Sequence, residues 1–193
     1  MLADKLKNKD IILASKSPRR QELLKGLNVP FKVVTKDVDE SYPATIITKK
    51  IAEYLANKKA DAFKNTVNDN TILITADTVV ILDDDVLGKP KDEQEAIEML
   101  KRLSGRTHEV ITGVCVKTKV KTTVFSSTTT VTFKTLTEVE IDYYVKSYSP
   151  FDKAGSYGIQ EWIGYIGISK IKGSYFNVMG LPVFELNEVL SNL

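Results

Sequence analysis

The sequence predicts a mixed-sheet α/β fold, on three observations. Helical and strand patterns alternate through the first half of the chain, and paired β-patterns dominate the second. The apolar fraction is 42% and the charged fraction 27%, which is the make-up of a chain that folds around a core. A length of 193 residues fits about one domain.

The elements follow in order. Residues 11–14 are a short apolar run, read as a buried strand. Ser17 suits a helix N-cap and Pro18 the first helical position; Leu23, Leu24 and Leu27 give that helix its apolar face, and Gly26 is its stop. A second strand is expected over residues 31–35. Over residues 44–63 the pattern is helical, with Ile47, Ile51, Tyr54, Leu55 and Lys59 recurring at three- and four-residue steps. Residues 71–82 are a long β-branched run, the candidate central strand, and Asp83-Asp84-Asp85 reads as a solvated turn. Asp92 with Glu95 forms a capping box for a helix through Ile97, Leu100 and Leu103, ended by Gly105. Residues 110–119 and 122–135 read as paired strands with Thr-rich solvent faces. Thr137 with Glu140 is another capping box, opening a helix to about Ser147. Residues 152–160 form a Gly-containing loop, 163–171 look strand-like, and 182–190 form a final helix.

Composition excludes several functions. One Cys cannot form an internal disulfide, and one Cys with one His cannot build a Cys/His zinc site. With 27 Lys+Arg against 25 Asp+Glu, a net charge of +2 argues against a protein that coats nucleic acid. The first ten residues lack the apolar core of a signal peptide, and no run approaches the ~20 apolar residues of a membrane span. The expectation is a cytoplasmic protein with no membrane and no nucleic-acid partner.

The strongest local signal is strand, then Ser15-Lys16-Ser17-Pro18-Arg19-Arg20, then helix. Two arginines in a first helical turn oppose the helix dipole, at a cost of a few tenths of a kcal/mol or more unless an anion is present. With an anion, free N–H groups, hydroxyls and two guanidinium forks converge on one spot. A solvated pair of arginines is the other reading, and the residues alone leave both open. Asp77 lies within the apolar run 72–82, near the polar Thr75 and Thr78. An unpaired carboxylate there costs several kcal/mol, so it is paired, metal-bound or catalytic. Lys89 sits on a stiff turn between Gly88 and Pro90, and Lys59 near a helix end; each alone reads as structural. Asp39 and Glu40 are a loop pair able to offer oxygen ligands to Mg²⁺ or Mn²⁺, or simply solvated charges. His108 has no G-x-S-x-G partner and reads as structural, and Cys115 as a buried small hydrophobe. Gln160 can both donate and accept, which suits reading a nucleobase edge. P-loop and Rossmann signatures are absent.

Taken in order, these segments resemble the Maf family of nucleotide pyrophosphatases. The matches are 14–20 with Glu22-Leu23-Leu24, then Val38-Asp39-Glu40, Leu55-Ala56 with Lys59-Ala60, and Ala76-Asp77-Thr78-Val79-Val80. They continue with Gly88-Lys89-Pro90, Leu103-Ser104-Gly105 with His108, Thr112-Gly113-Val114, residues 152–160, Gly173-Ser174-Tyr175 and Gly180-Leu181-Pro182. The ordered set spans residues 11–185. The resemblance implies a single domain over 1–193, an elongated mixed sheet with flanking helices, two lobes and a central cleft. It implies hydrolysis of a nucleoside triphosphate to monophosphate and pyrophosphate with a divalent metal (Mg, Mn or Co), in a homodimer. By position, Asp77 is the implied proton acceptor. Ser15, Arg19, Arg20, Lys59 and Lys89 are the implied phosphate set, with Arg19, Thr78 and Gln160 at positions tied to substrate choice. Asp39 or Glu40 with Asp77 would hold the metal. The run 153–160 looks like the dTTP/UTP subgroup. A broad house-cleaning activity on modified nucleotides, and a nucleotide-binding cell-division regulator with little turnover, are the alternatives. Lys16, at a position that is often uncharged, and Glu161, where Gly is common, depart from the pattern.

Overall fold

A 12-residue run that is β-branched at most positions and buried on both faces belongs in the middle of a sheet. The computed structural model, which describes residues 1–193, places Thr71–Leu82 (β3) there. Around it lie Asp10–Ala14 (β1), Lys32–Val34 (β2), Asp85–Leu87 (β4), Thr107–Lys117 (β5), Thr122–Phe133 (β6) and Ile168–Lys172 (β7). The sheet order is β2-β1-β3-β5-β6-β7, with β4 paired to β3. β1 runs parallel to both neighbours, with Ile11 opposite Ile72 and Leu13 opposite Val33, whereas the β3–β4 and β6–β7 pairs are antiparallel. The mixed α/β sheet expected from the sequence is therefore the observed one. Helices are Leu2–Leu6 (α1), Pro18–Lys25 (α2), Ile51–Asp61 (α3), Glu93–Leu103 (α4), Glu138–Tyr148 (α5), Trp162–Gly167 (α6), Tyr175–Met179 (α7) and Val183–Ser191 (α8).

The chain folds as two compact units. One comprises Met1–Asp77, Thr112–Ser127 and Gly180–Leu193. Its core includes a cluster in which Ala56, Ala60 and Phe63 meet Ile12, Ala14, Leu73 and Cys115 of the sheet. Such close helix–sheet contact needs small residues on both sides. A Cβ on Gly113 would lie 2.3 Å from the Ala52 carbonyl, so only glycine at that point of β5 lets α3 lie where it does. Burial pushes the Cys115 thiol up to about 11, in keeping with a free cysteine that behaves as an apolar side chain.

The second unit comprises Thr78–Ile111 and Thr128–Met179. There α4 packs on α5 and on the turn Ala154–Ser156. Leu100, Leu103, Tyr144 and Ile163 are fully buried. His108 lies in this core, with Nε2 2.7 Å from the Tyr157 hydroxyl and its ring stacked on Phe133. Desolvation holds its pKa down to about 4, so the ring is neutral and structural, as the sequence suggests.

Several expected elements differ. The helical pattern over 44–63 yields a helix only from Ile51, preceded by a single 3₁₀ turn at Thr48–Lys50. The β-branched run Thr45-Ile46-Ile47-Thr48 disfavours helix, and Ile47 is 73% exposed, with no core to override the preference. The apolar stretch 163–171 divides into α6 and β7: Ile163 and Gly167, four residues apart, are the positions it buries, which is a helical spacing. The short helices α1 and α7 escaped prediction because five residues carry no readable period. At α4 only half of the capping box forms: Asp92 accepts from Glu95 N, while the Glu95 carboxylate caps Lys91 N instead. Thr137 and Glu140 make the full reciprocal box.

Two outcomes follow for stability. Gly113→Ala forces α3 away from β5 and is expected to cost about 3 kcal/mol, read as a lowered urea midpoint. Folded His108 refuses a proton that the unfolded chain accepts below about pH 6.5. Its contribution is thus flat at higher pH and lost as pH falls toward 4, by about 3 kcal/mol. The stability gap between wild type and His108→Asn is expected to narrow by that amount between about pH 7 and pH 4.

Candidate active site

β1 ends at Ala14, and the next three residues turn the chain into α2. Ser17 N donates to Ser15 Oγ at 3.1 Å, and Ser17 Oγ accepts from Arg20 N at 3.4 Å, so the two hydroxyls fix the entry to the helix. Pro18 occupies the first turn, which holds no acidic residue. The helix N-terminus therefore presents partial positive charge with Arg19 and Arg20 added to it. Arg20 folds back over the sheet, its Nε donating to Gly180 O and its Nη1 to Ala76 O, both at 2.8 Å. Burial lowers its pKa while the adjacent Asp77 opposes that shift. Those two donors make Arg20 a strut that holds a fixed positive charge beside Asp77.

Asp77 is 8% exposed and sits two residues beyond Thr75, on the same face of β3. The Thr75 hydroxyl donates to Ala56 O at 2.6 Å, docking α3 onto β3. One helical turn further on is Lys59. Its ammonium bonds Asp77 Oδ1 and lies 2.8 Å from Glu40 Oε1. A carboxylate this buried is destabilising by several kcal/mol without a partner, and Lys59 supplies one.

The acidic loop meets three different lysines. Asp37 pairs with Lys16 at 2.6 Å, Asp39 with Lys58 at 3.0 Å, and Glu40 with Lys59. Asp39 also accepts from the Ser41 hydroxyl and from Ser41 N; these bonds, the hydroxyl first, and Lys58 pull its pKa down to about 2. No set of three or more His, Cys, Asp or Glu side chains is gathered to hold a metal ion; of the two pairings that the resemblance implies, Asp39 or Glu40 with Asp77, the structure brings Glu40 to Asp77. Glu40 and Asp77 do share one cation, Lys59, and as hard oxygen donors facing one spot they fit a divalent ion. Asp39 turns to Ser41 and Lys58 instead, a competition the sequence does not reveal.

Thr78, Lys89 and Gln160 belong to the second unit. The turn carrying the exposed Lys89 is tied to the Gly-containing loop, since Gly155 N donates to Gly88 O at 3.1 Å. Gln160 is half-buried, and its amide oxygen is buried without a hydrogen-bond partner in the protein. Glu161 pairs with the buried Lys153 at 3.1 Å and accepts from the Tyr144 hydroxyl. The Glu161 departure from the family pattern is thus a counter-ion for a buried lysine. Neither Tyr144 nor Thr75 was expected in a supporting role: a tyrosine at an apolar helix position and a threonine in a strand carry no sequence signal of their partners.

With Lys59→Met, Asp77 and Glu40 lose their shared ammonium. A loss of about 3 kcal/mol is expected, and a double-mutant cycle with Asp77→Asn is expected to return a coupling of roughly 1–3 kcal/mol, read by urea unfolding.

Comparison with known proteins places these features in context. The profile of the Maf-like protein family matches residues 10–193. A Porphyromonas gingivalis protein named dTTP/UTP pyrophosphatase is 53% identical over 194 residues, covering 99% of this chain and 98% of its own. One from Phocaeicola vulgatus with the same name is 52% identical over 193 residues, covering both chains completely. The Staphylococcus aureus Ham1 protein structure aligns with a TM-score of 0.56 over 95% of this chain and 99% of its own, at 16% identity, a likeness of fold.

Proposed function

The chain belongs to the Maf-like protein family, and from that premise we propose that it hydrolyses dTTP and UTP to the nucleoside monophosphate and pyrophosphate. The observation that carries the reading is the buried Asp77, held by Lys59 and set beside the arginine-bearing N-terminus of α2.

The chemistry follows from that geometry. A water oxygen attacks the α-phosphorus, the bond to the bridging oxygen of the β-phosphate breaks, and pyrophosphate leaves. Asp77 accepts the proton of the attacking water, an effect worth about 10²- to 10⁴-fold. On the family resemblance, Ser15, Arg19, Arg20, Lys59 and Lys89 keep the phosphate-binding roles of the matching positions, their cations offsetting charge that grows in the transition state. Arg20, tied to Ala76 O and Gly180 O, also adds a fixed positive charge beside Asp77. Glu40 and Asp77 would hold a divalent ion (Mg, Mn or Co), which would supply Lewis-acid polarisation of a phosphoryl oxygen. Arg19, Thr78 and Gln160 keep the roles in substrate choice of the matching family positions. The resemblance supports a cytoplasmic homodimer in which residues 1–193 work as one domain on free nucleotides with no membrane partner, and the balanced charge argues against a nucleic-acid partner. No helix of the chain is long and apolar enough to cross a membrane.

The test is pyrophosphate release from a panel of normal and modified triphosphates with each metal. Fastest release is expected from dTTP and UTP, and Asp77→Asn is expected to lower kcat by about 10²-fold or more with its thermal melt retained. Near-wild-type turnover in that variant overturns the assignment. Equal turnover of modified nucleotides would instead mark a house-cleaning enzyme, and binding without release a nucleotide sensor.

A further inference from the structure

Gln160 sits in a turn whose two ends are fastened to one hydroxyl. Glu161 N donates to Gly158 O at 3.0 Å, closing the turn over residues 158–161. Tyr144, fully buried on α5, accepts from Gly158 N at 2.9 Å and donates to Glu161 Oε2. The other oxygen of Glu161 meets Lys153 Nζ at 3.1 Å, and that lysine, 9% exposed, also reaches Asp152 at 2.7 Å. A Cβ on Gly158 would lie 2.7 Å from the Glu161 carboxyl carbon, so the pin requires glycine there. Burial, reinforced by Glu161, pushes the Tyr144 pKa well up, which keeps the hydroxyl a donor at any working pH. One residue ahead of Gly158, Tyr157 is held by His108. The fastening therefore brackets Gln160 on both sides, and its buried amide oxygen has no protein donor.

We propose that Tyr144, acting through Glu161, is a positioning residue that fixes the Gln160 amide and so sets the choice among pyrimidine triphosphates; this rests on the reading of Gln160 as the group that meets the base. An amide is a weak discriminator because it carries an acceptor and a donor that exchange places when the side chain turns over. Uracil and thymine present a carbonyl oxygen at ring position 4, whereas cytosine presents an amino group there. A Gln160 free to turn satisfies either ring. A Gln160 held with its oxygen buried presents its NH2, which satisfies that carbonyl and leaves two donors facing each other with cytosine. Rigidity of the turn is what converts this neutral side chain into a selective one.

The test compares wild type with Gln160→Ala, Tyr144→Phe, Glu161→Gln and Glu161→Ala in steady-state kinetics on dTTP, UTP and dCTP, with a thermal melt of each. Tyr144→Phe is expected to lower discrimination against dCTP about tenfold, through KM for dTTP and UTP rather than through kcat. Glu161→Gln, which keeps an oxygen for Tyr144, is expected to retain more discrimination than Glu161→Ala. Tyr144→Phe is expected to add nothing in a Gln160→Ala background. Unchanged discrimination in folded Tyr144→Phe and Glu161→Ala, with Gln160→Ala losing it, overturns the proposal and spares the role of Gln160. Full discrimination in Gln160→Ala overturns that role and the proposal with it. If Tyr144→Phe does not fold, the Glu161 pair decides.

Discussion

A carboxylate in the middle of a buried strand must be neutralised, and the ammonium of Lys59 does this for Asp77. The rest of the first unit is arranged so that it can. Thr75 fastens α3 to β3 one turn before Lys59, and Gly113 lets the helix backbone lie against β5. The acidic loop reaches the same ammonium through Glu40.

Around this pair, charge is concentrated rather than spread. A net charge of +2 looks neutral, yet Arg19, Arg20 and Lys59 gather near Asp77 and Glu40 within one unit. The arginines at the start of α2 oppose its dipole, an arrangement that becomes favourable when a phosphate arrives. Arg20 is the exception within the set. Its guanidinium is tied to the carbonyls of Ala76 and Gly180, so it contributes a field at Asp77 and also stitches α2 to the sheet. Structure and chemistry are carried by one side chain.

The second unit solves a different problem. A loop with two glycines has to be held in one conformation. It does so with hydrogen bonds from residues that are themselves immobile: Tyr144 and His108 in the core, and Lys153 neutralised by Glu161. Glu161 stands where glycine is common, and its environment accounts for it fully. It is the partner of a buried lysine and the acceptor for a buried phenol.

Local chemistry was legible in the sequence. The β-branched run of β3, the Ser17-Pro18 start of α2, the reciprocal box of Thr137 and Glu140 and the isolation of Asp77 in an apolar strand all depend on near neighbours in the chain. Pairings between distant residues were not legible, because charge and size alone leave many partners open. Asp39 looked equivalent to Glu40, yet one turns to Ser41 and Lys58 and the other to the site. The helix expected from residue 44 begins at Ile51 because no core covers Ile47, and the strand expected at 163 begins as a helix because burial there recurs every four residues. The sequence by itself determined the residue types that the chemistry needs and their order along the chain. Only the tertiary structure decided which cation each carboxylate meets, since burial makes that choice and burial is a property of the assembled sheet.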